Sequence, residues 1–428
     1  MTRQPLRSVT RPVVATAAQP RVWDMAANGQ PAGTTHTRAS SGRVWMPNGV
    51  LTAMPSNVAR HSFNPLLGAA RGYLSEQGTT NYARATNAAS NAWWTKTFCS
   101  AGATTTGADG TPSLTKIVLD STSNRHYLSQ TVSILSAGTY WCISMYVKAA
   151  EQRCVGLYGR SNGTTNTVTA SFDVSDQTTT TAVTGTGVVN ATGIEACGNG
   201  IYRVWMAGRT SPTDTAVAFE WRVLKNDKTV TFVGDGVSGV YMGCFQLEVG
   251  CDQPSSYIEN TGTTADVARA SDVLTATNLA DLGWNTRTGT VIVDFMLPSA
   301  GVLTATKRVM ELVQDSSNRL LVTYDPAGSG SGLKLTNVYG GTQVNVIVTG
   351  SKPLGYAVNR LAVSYTPTQI SASLNGGVVA NGNIGGLGAF NRVSVGRSET
   401  GSFGLNGWIR RVDYLPFANL NLQALSGV

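Results

Sequence analysis

Histidine is the scarcest side chain that could do chemistry: three occur in 428 residues, His36, His61 and His126. None stands beside a Gly-x-Ser-x-Gly elbow or in a His-rich metal pattern, which disfavours a hydrolase triad and a His-ligated metal. Cleaving a glycan would instead need two carboxyl groups set across one glycosidic bond. Glu76, Asp109, Asp173, Glu195, Glu220 and Glu248 are among the acids in the middle of the chain, and no spacing among them selects a pair. The repeats of a β-helical depolymerase are absent as well. Cys99, Cys142, Cys154, Cys197, Cys244 and Cys251 form no C-x-x-C pair and read as free thiols. A bridge between Cys244 and Cys251 stays open, because the segment between them is long enough to turn back. These residues predict a protein that is not an enzyme, with no catalytic residue, bound cofactor or metal ligand.

Aromatic rings are better candidates for binding, since flat rings stack on sugar faces while polar neighbours bond the hydroxyls. Adjacent side chains in a strand point to opposite faces. Trp93 and Trp94 therefore cannot both enter a core, and one ring is expected outside, free or covered by the N-terminal segment or a subunit contact. Tyr127 and Tyr146 could extend such a surface. Asn375 and Asn381 sit among glycines on loops where a lectin-like ligand would bind, although Gly-Asn turn geometry also accounts for them.

The elements that must position these residues are strands. Only 13% of residues are charged and Gly, Ser, Thr, Val and Ala dominate, a balance suited to short strands and turns. No window approaches 18 apolar residues, so no membrane insertion is expected, and residues 13–18 are too short and weak for a signal-peptide core. The net charge of +8 is spread over 32 scattered basic residues without a nucleic-acid motif. It reads as a solvated surface, the functional alternative being attraction to anionic partners such as lipopolysaccharide, teichoic acid or an acidic neighbour.

In order, residues 1–20 read as an extended basic arm that needs a partner to be held, with Arg3, Arg7 and Arg11 as docking residues. Residues 21–70 are irregular, with a short strand at 42–45, and too poor in apolar side chains to fold alone; they are expected to wrap the following domain. Residues 71–268 carry alternating strands near 114–120, 126–135, 140–148, 154–159, 167–174, 200–207, 217–223 and 240–249. At 140–148 the alternation predicts a half-buried strand with Trp141, Ile143, Met145 and Val147 inward. At 240–249 it puts Tyr241, Phe245, Leu247 and Val249 on one face. Residues 269–288 read as a connector with a short helix near 279–282, and 289–428 as a second sandwich.

Two stretches resemble known families. Arg60-His61, Asn64-Pro65, Gly72-Tyr73-Leu74, Glu76 and Thr80-Asn81 follow an order similar to that in phage tail and virion structural proteins. Thr37-Arg38-Ala39-Ser40 precedes it, and Gln246-Leu247-Glu248, Pro254 to Ile258 and Ala268 to Asp272 follow; together the match runs from about residue 21 to 275. The stretches 360–365, 369–376, 393–397 and 407–414, with the closing 420–425, resemble the concanavalin A-like, laminin-G-type sandwich. The composition reads as all-β, and the two resemblances together imply an N-terminal arm, a carbohydrate-binding-like jelly roll, then the concanavalin A-like sandwich; the rest follows from the first. It implies a tail fibre, tail tip or head fibre on the virion, assembled in the host cytoplasm, docked through the arm to other virion proteins and adhering to host-surface glycan. Homo-oligomerisation, a trimer by analogy, goes with that role. The alternative is a capsid or tail decoration protein that stabilises the particle and binds no glycan. Calcium enters by family analogy alone, since no Asp-x-Asp-x-Asp-Gly loop is present. Glu76 and Glu248 fall on motif positions and are expected to hydrogen-bond the lead-in and the last strand of the first sandwich.

Overall fold

The computed structural model describes residues 21–133, 138–161, 165–213, 215–262, 265–298, 306–325, 332–348, 353–419 and 421–427. The arm with Arg3, Arg7 and Arg11, and Leu420 at the head of the closing stretch, lie outside them. The described chain is all-β, built as two antiparallel sandwiches with one short helix, Leu422–Ser426.

The first sandwich faces two six-stranded sheets across one core. One sheet runs Val188–Gly198, Ile201–Arg209, Trp141–Lys148, Gly239–Val249, Leu114–Leu119, Cys99–Thr105. The other runs Thr178–Thr184, Thr167–Asp173, Cys154–Ser161, Val217–Leu224, His126–Val132, Thr95–Thr97. Alternation along each strand fills the space between them: Trp141, Ile143, Met145 and Val147 meet Val217, Phe219, Trp221 and Val223 in one apolar cluster.

The second sandwich is built from both ends of the chain. Its first sheet runs Ala380–Asn383, Gln369–Leu374, Asn359–Tyr365, Gly289–Met296, Gly407–Leu415, Ala70–Ser75, His61–Phe63, with Arg21–Asp24 also paired to Gly407–Leu415. Its second runs Thr34–Thr37, Val273–Thr277, Arg392–Val395, Lys307–Asp315, Asn318–Asp325, Gly332–Tyr339, Thr342–Val348. The first sandwich is thus an insertion, flanked where Thr79–Asn81 pairs with Val267–Arg269.

Several expectations change. The segment 21–70 does not simply wrap the domain that follows it: three of its strands, and Ala70–Ser75 directly after them, hydrogen-bond into the last sandwich, because main-chain donors and acceptors of strands too poor in apolar side chains to stand alone find partners there. The hairpin of Gly42–Trp45 with Leu51–Met54 leans on the first sandwich, where Trp45 and Leu51 pack with Tyr146, Ile201 and Tyr257. That hairpin and its surroundings cover the outer face of the 141–148 sheet, so this strand is buried on both faces rather than half-buried. Tyr241 leaves the face expected of it, because Cys244 takes φ +48° and the pairing register slips there. That bulge puts Val240 and Met242, with Phe245 and Leu247, in the core, and Tyr241 on the outer side. The helix expected near 279–282 is a run of tight turns between Asn278 and Gly283, both at positive φ. Within the expected connector, Val273–Thr277 is a sheet strand. All six cysteines are free, so Cys244 and Cys251 do not bridge.

Candidate functional site

The residues that carry the virion-protein resemblance converge on a buried ionic hub at the junction of the sandwiches. Asp272 accepts hydrogen bonds from Arg38 Nη1 at 2.9 Å and Arg60 Nε at 3.2 Å, a closer contact from Arg60 Nη2, and the Glu76 N–H at 3.1 Å. His36 Nε2 lies 3.4 Å from the same carboxylate. Glu76 in turn meets Arg60 and Arg269, each at 2.7 Å, and accepts from the Ser256 N–H and hydroxyl at 2.6 Å. Arg397 donates to the Asp272 carbonyl at 2.6 Å. Burial pushes both carboxyls up, but the arginines outweigh it: Arg60, with His36 bonding, holds Asp272 far below the usual carboxylate range, and Arg269 and Arg60 hold Glu76 below it. Glu248 accepts from the Ser255 N–H at 2.9 Å and from Gln246 Nε2 at 2.7 Å. Every acid of the hub is buried and bonded to the protein, so its charges tie chain segments together.

The sequence-predicted glycan residues are dispersed. Trp94 is sealed in the first core, 5.1 Å from Trp221 and 4.4 Å from Phe245 between ring centroids, so no face is left for a sugar. Its neighbour Trp93 sits on a turn with 44% of its surface exposed. The Arg84 guanidinium stacks 4.7 Å from the Trp93 ring centroid and pairs with Asp266 at 3.3 Å, while Trp93 Nε1 donates to the Gly262 carbonyl at 3.1 Å. Trp93, Arg84 and Asp266, with Tyr82, Ser129 and Thr131, line an open groove of about 450 Å³. Tyr127 is half-buried, with Arg125 over its ring. Asn375 is explained by its turn: φ is +51°, and its side chain accepts from the Arg360 N–H and donates to Asn359. Asn381 is exposed on an edge strand and accepts from the Ser371 hydroxyl at 2.7 Å.

Tyr146 is buried too, but under a second site absent from the sequence-based candidates. On the outer face of its sheet, Tyr146 pairs across the strands with Arg203, and Arg203 with Glu195. Arg71 reaches across from Ala70–Ser75 to Glu195 at 3.2 Å and stacks 4.8 Å from the Trp408 ring of the second sandwich. Trp45, Trp205, Trp408 and Tyr356 complete a cleft between the sandwiches. About 70 Å³ is open to water inside it, room for two or three waters. Tyr356 stands 51% exposed at φ +54°, uncommon for a bulky side chain and often a mark of a functional constraint.

Among the described residues no group of three His, Cys, Asp or Glu side chains gathers to hold a metal ion, and no helix is long and apolar enough to cross a membrane. No protein-family model and no curated protein matches the chain. Among solved structures, it is similar to the CBM40 module of the Ruminococcus gnavus IT-sialidase bound to α2,3-sialyllactose, at 14% identity and TM-score 0.28 over 35% of this chain and 86% of that one. It is also similar to domains LG4-5 of the mouse laminin α1 chain, at 9% identity and TM-score 0.23 over 70% and 90% of the two chains. A third is the Trypanosoma rangeli sialidase in complex with sialic acid, at 10% identity and TM-score 0.25 over 73% and 59%. Likenesses at this level carry no inference about what this chain binds.

Proposed function

We propose that this chain is a non-enzymatic structural protein of a phage virion, a tail-fibre, tail-tip or head-fibre component that adheres to glycan on the host surface. The observation that carries the adhesive part is the open groove at Trp93, where an exposed indole lies among hydroxyls and the Arg84–Asp266 pair. An apolar ring face beside hydrogen-bonding groups is what a pyranose requires. The virion part rests on the ordered resemblance through Arg38, Arg60, Glu76, Arg269 and Asp272. In that role the basic arm docks on another virion protein, and a homo-oligomer, a trimer by analogy, multiplies weak sugar contacts. The test is binding of the purified chain to glycans extracted from the host envelope. Trp93→Ala should weaken it by about tenfold or more, as loss of a central aromatic anchor does, with the melting temperature unchanged; undiminished binding would refute the groove.

A second reading, a capsid or tail decoration protein, is favoured by one specific observation: five charged residues of the resemblance, Arg38, Arg60, Glu76, Arg269 and Asp272, serve the buried hub rather than any surface. A decoration protein would bind virions and no glycan. Gold-labelled antibody on intact virions separates the two further, since label at the distal tail supports adhesion and label over the head supports decoration.

A further inference from the structure

The cleft between the sandwiches holds a buried arginine that no carboxylate among the described residues contacts: burial lowers its pKa, while Tyr146, Glu248 and Glu195, acting from farther off, raise it above the ordinary value. Arg203 is 6% exposed. Its Nη2 donates to the Ser144 hydroxyl at 3.1 Å, its guanidinium lies 5.4 Å from the Tyr146 ring centroid, and its Nε makes no hydrogen bond. Among the described residues no carboxylate lies within ion-pair distance of it, although Glu195 is its cross-strand neighbour. The other charges of the cleft are matched: Arg43 by Glu259 at 2.6 Å, Glu76 by Arg60 and Arg269, and Arg71 by Glu195. A buried guanidinium with one neutral partner is costly unless something completes it. Two more lining residues carry buried polar atoms without a partner, the Trp408 indole N–H and the Gln253 carbonyl oxygen. Two unmatched donors and one unmatched acceptor ask for a group with anionic oxygens and an adjacent hydroxyl.

We propose that this cleft is a binding site for the anionic head group of an acidic sugar, a carboxylate or phosphate seated between Arg203 and Arg71, with the sugar ring at the mouth against Tyr356. The small open volume sets that division, since it admits a head group and not a whole pyranose. Glu195 is the internal competitor: in this structure its carboxylate holds Arg71, and a ligand must share that arginine. The site is separate from the Trp93 groove and needs both sandwiches, because Arg71, Arg203 and Trp408 come from three distant parts of the chain.

The test is a titration of the full chain at constant ionic strength with D-glucuronate, glucose 6-phosphate and neutral glucose, read by tryptophan fluorescence, since Trp45, Trp205 and Trp408 line the site. At least one of the two anions should give a saturable change at concentrations up to about 50 mM, above the millimolar Kd of a small ligand, and glucose none. The tighter of the two identifies the head group. Glu195→Gln should tighten the anion about five- to tenfold by removing a like charge, a gain no merely structural role predicts. Arg203→Met should abolish the change, and Trp93→Ala should leave it intact. If Arg203→Met fails to fold, the half-exposed Glu195 still decides. Equal response to glucose, no response to either anion, or unchanged affinity in Glu195→Gln would each overturn the proposal.

Discussion

Replacing Asp272 by Asn should be among the most damaging single changes this chain can suffer. The carboxylate is fully buried and answers two buried arginines at once, Arg38 and Arg60, with His36 beside them. An amide of the same shape keeps the packing and removes the charge. Arg60 then retains Glu76, the Arg43 carbonyl and the Ser256 hydroxyl, and Arg38 retains only the carbonyls of Ser40, Val58, Met54 and Pro55. Breaking a buried pair from one side costs about 3–5 kcal/mol, and the two arginines share one network, so their losses do not add. At about 2–4 °C per kcal/mol for a domain of this size, the melting temperature should fall by about 6–20 °C in a calorimetric scan. A fall below about 2 °C would refute the claim that the hub holds the sandwiches together. The hub also sets the acid limit. Asp272 and Glu76 have folded-state pKa values below their unfolded ones, so their stabilisation is complete above about pH 4 and is lost as pH falls from there toward the depressed folded values. Asp272→Asn should flatten that acid loss.

Other consequences can be checked singly. Trp94→Ala should cost about 3–5 kcal/mol in urea unfolding, whereas Trp93→Ala, on the exposed turn, should cost under about 1 kcal/mol; equal losses would contradict the split of the pair. Gly72 has φ +107°, and a Cβ there would lie 2.4 Å from the Ile409 carbonyl oxygen. Gly72→Ala should therefore destabilise by more than about 1 kcal/mol by prising Ala70–Ser75 from Gly407–Leu415, measurable as faster amide exchange in that ladder. Burial pushes the Cys99 thiol up to about 11 and Cys244 and Cys251 up to about 12. Alkylation near pH 8, followed by mass spectrometry, should leave the native chain almost unmodified and label all six thiols in denaturant.

The strands of the first sandwich were legible because one face of each is apolar at period two, as in Val217–Leu224. Thr95–Thr97, Cys99–Thr105, Thr178–Thr184 and Val188–Gly198 were not; in Thr178–Thr184 an exposed edge of threonines carries no alternation. Lys307–Asp315 hid for the opposite reason: it is buried on both faces, and Arg308 and Glu311 inside it neutralise each other at 2.9 Å. The pairings of 21–75 had no local signal, because their partners lie hundreds of residues away. Trp93 could be found from strand geometry even though the pair sits on a turn, since neighbours still diverge. The Arg71–Glu195–Arg203 cleft could not, because Arg71 and Glu195 are 124 residues apart and neither belongs to a motif.

The pairing of Ala70–Ser75 and Arg21–Asp24 with Gly407–Leu415 also fixes an order of events during synthesis. The inserted sandwich has all its strands once residue 249 has left the ribosome, so it can close while the rest is still being made. The strands at 21–24 and 70–75 are translated early and wait longest, the edges that face 407–415 unpaired until that strand arrives. Through that interval the nascent chain presents open β-edges to its neighbours. In a protein made in many copies at once, the last strand to be translated is therefore the one that decides between folding and entanglement with another copy.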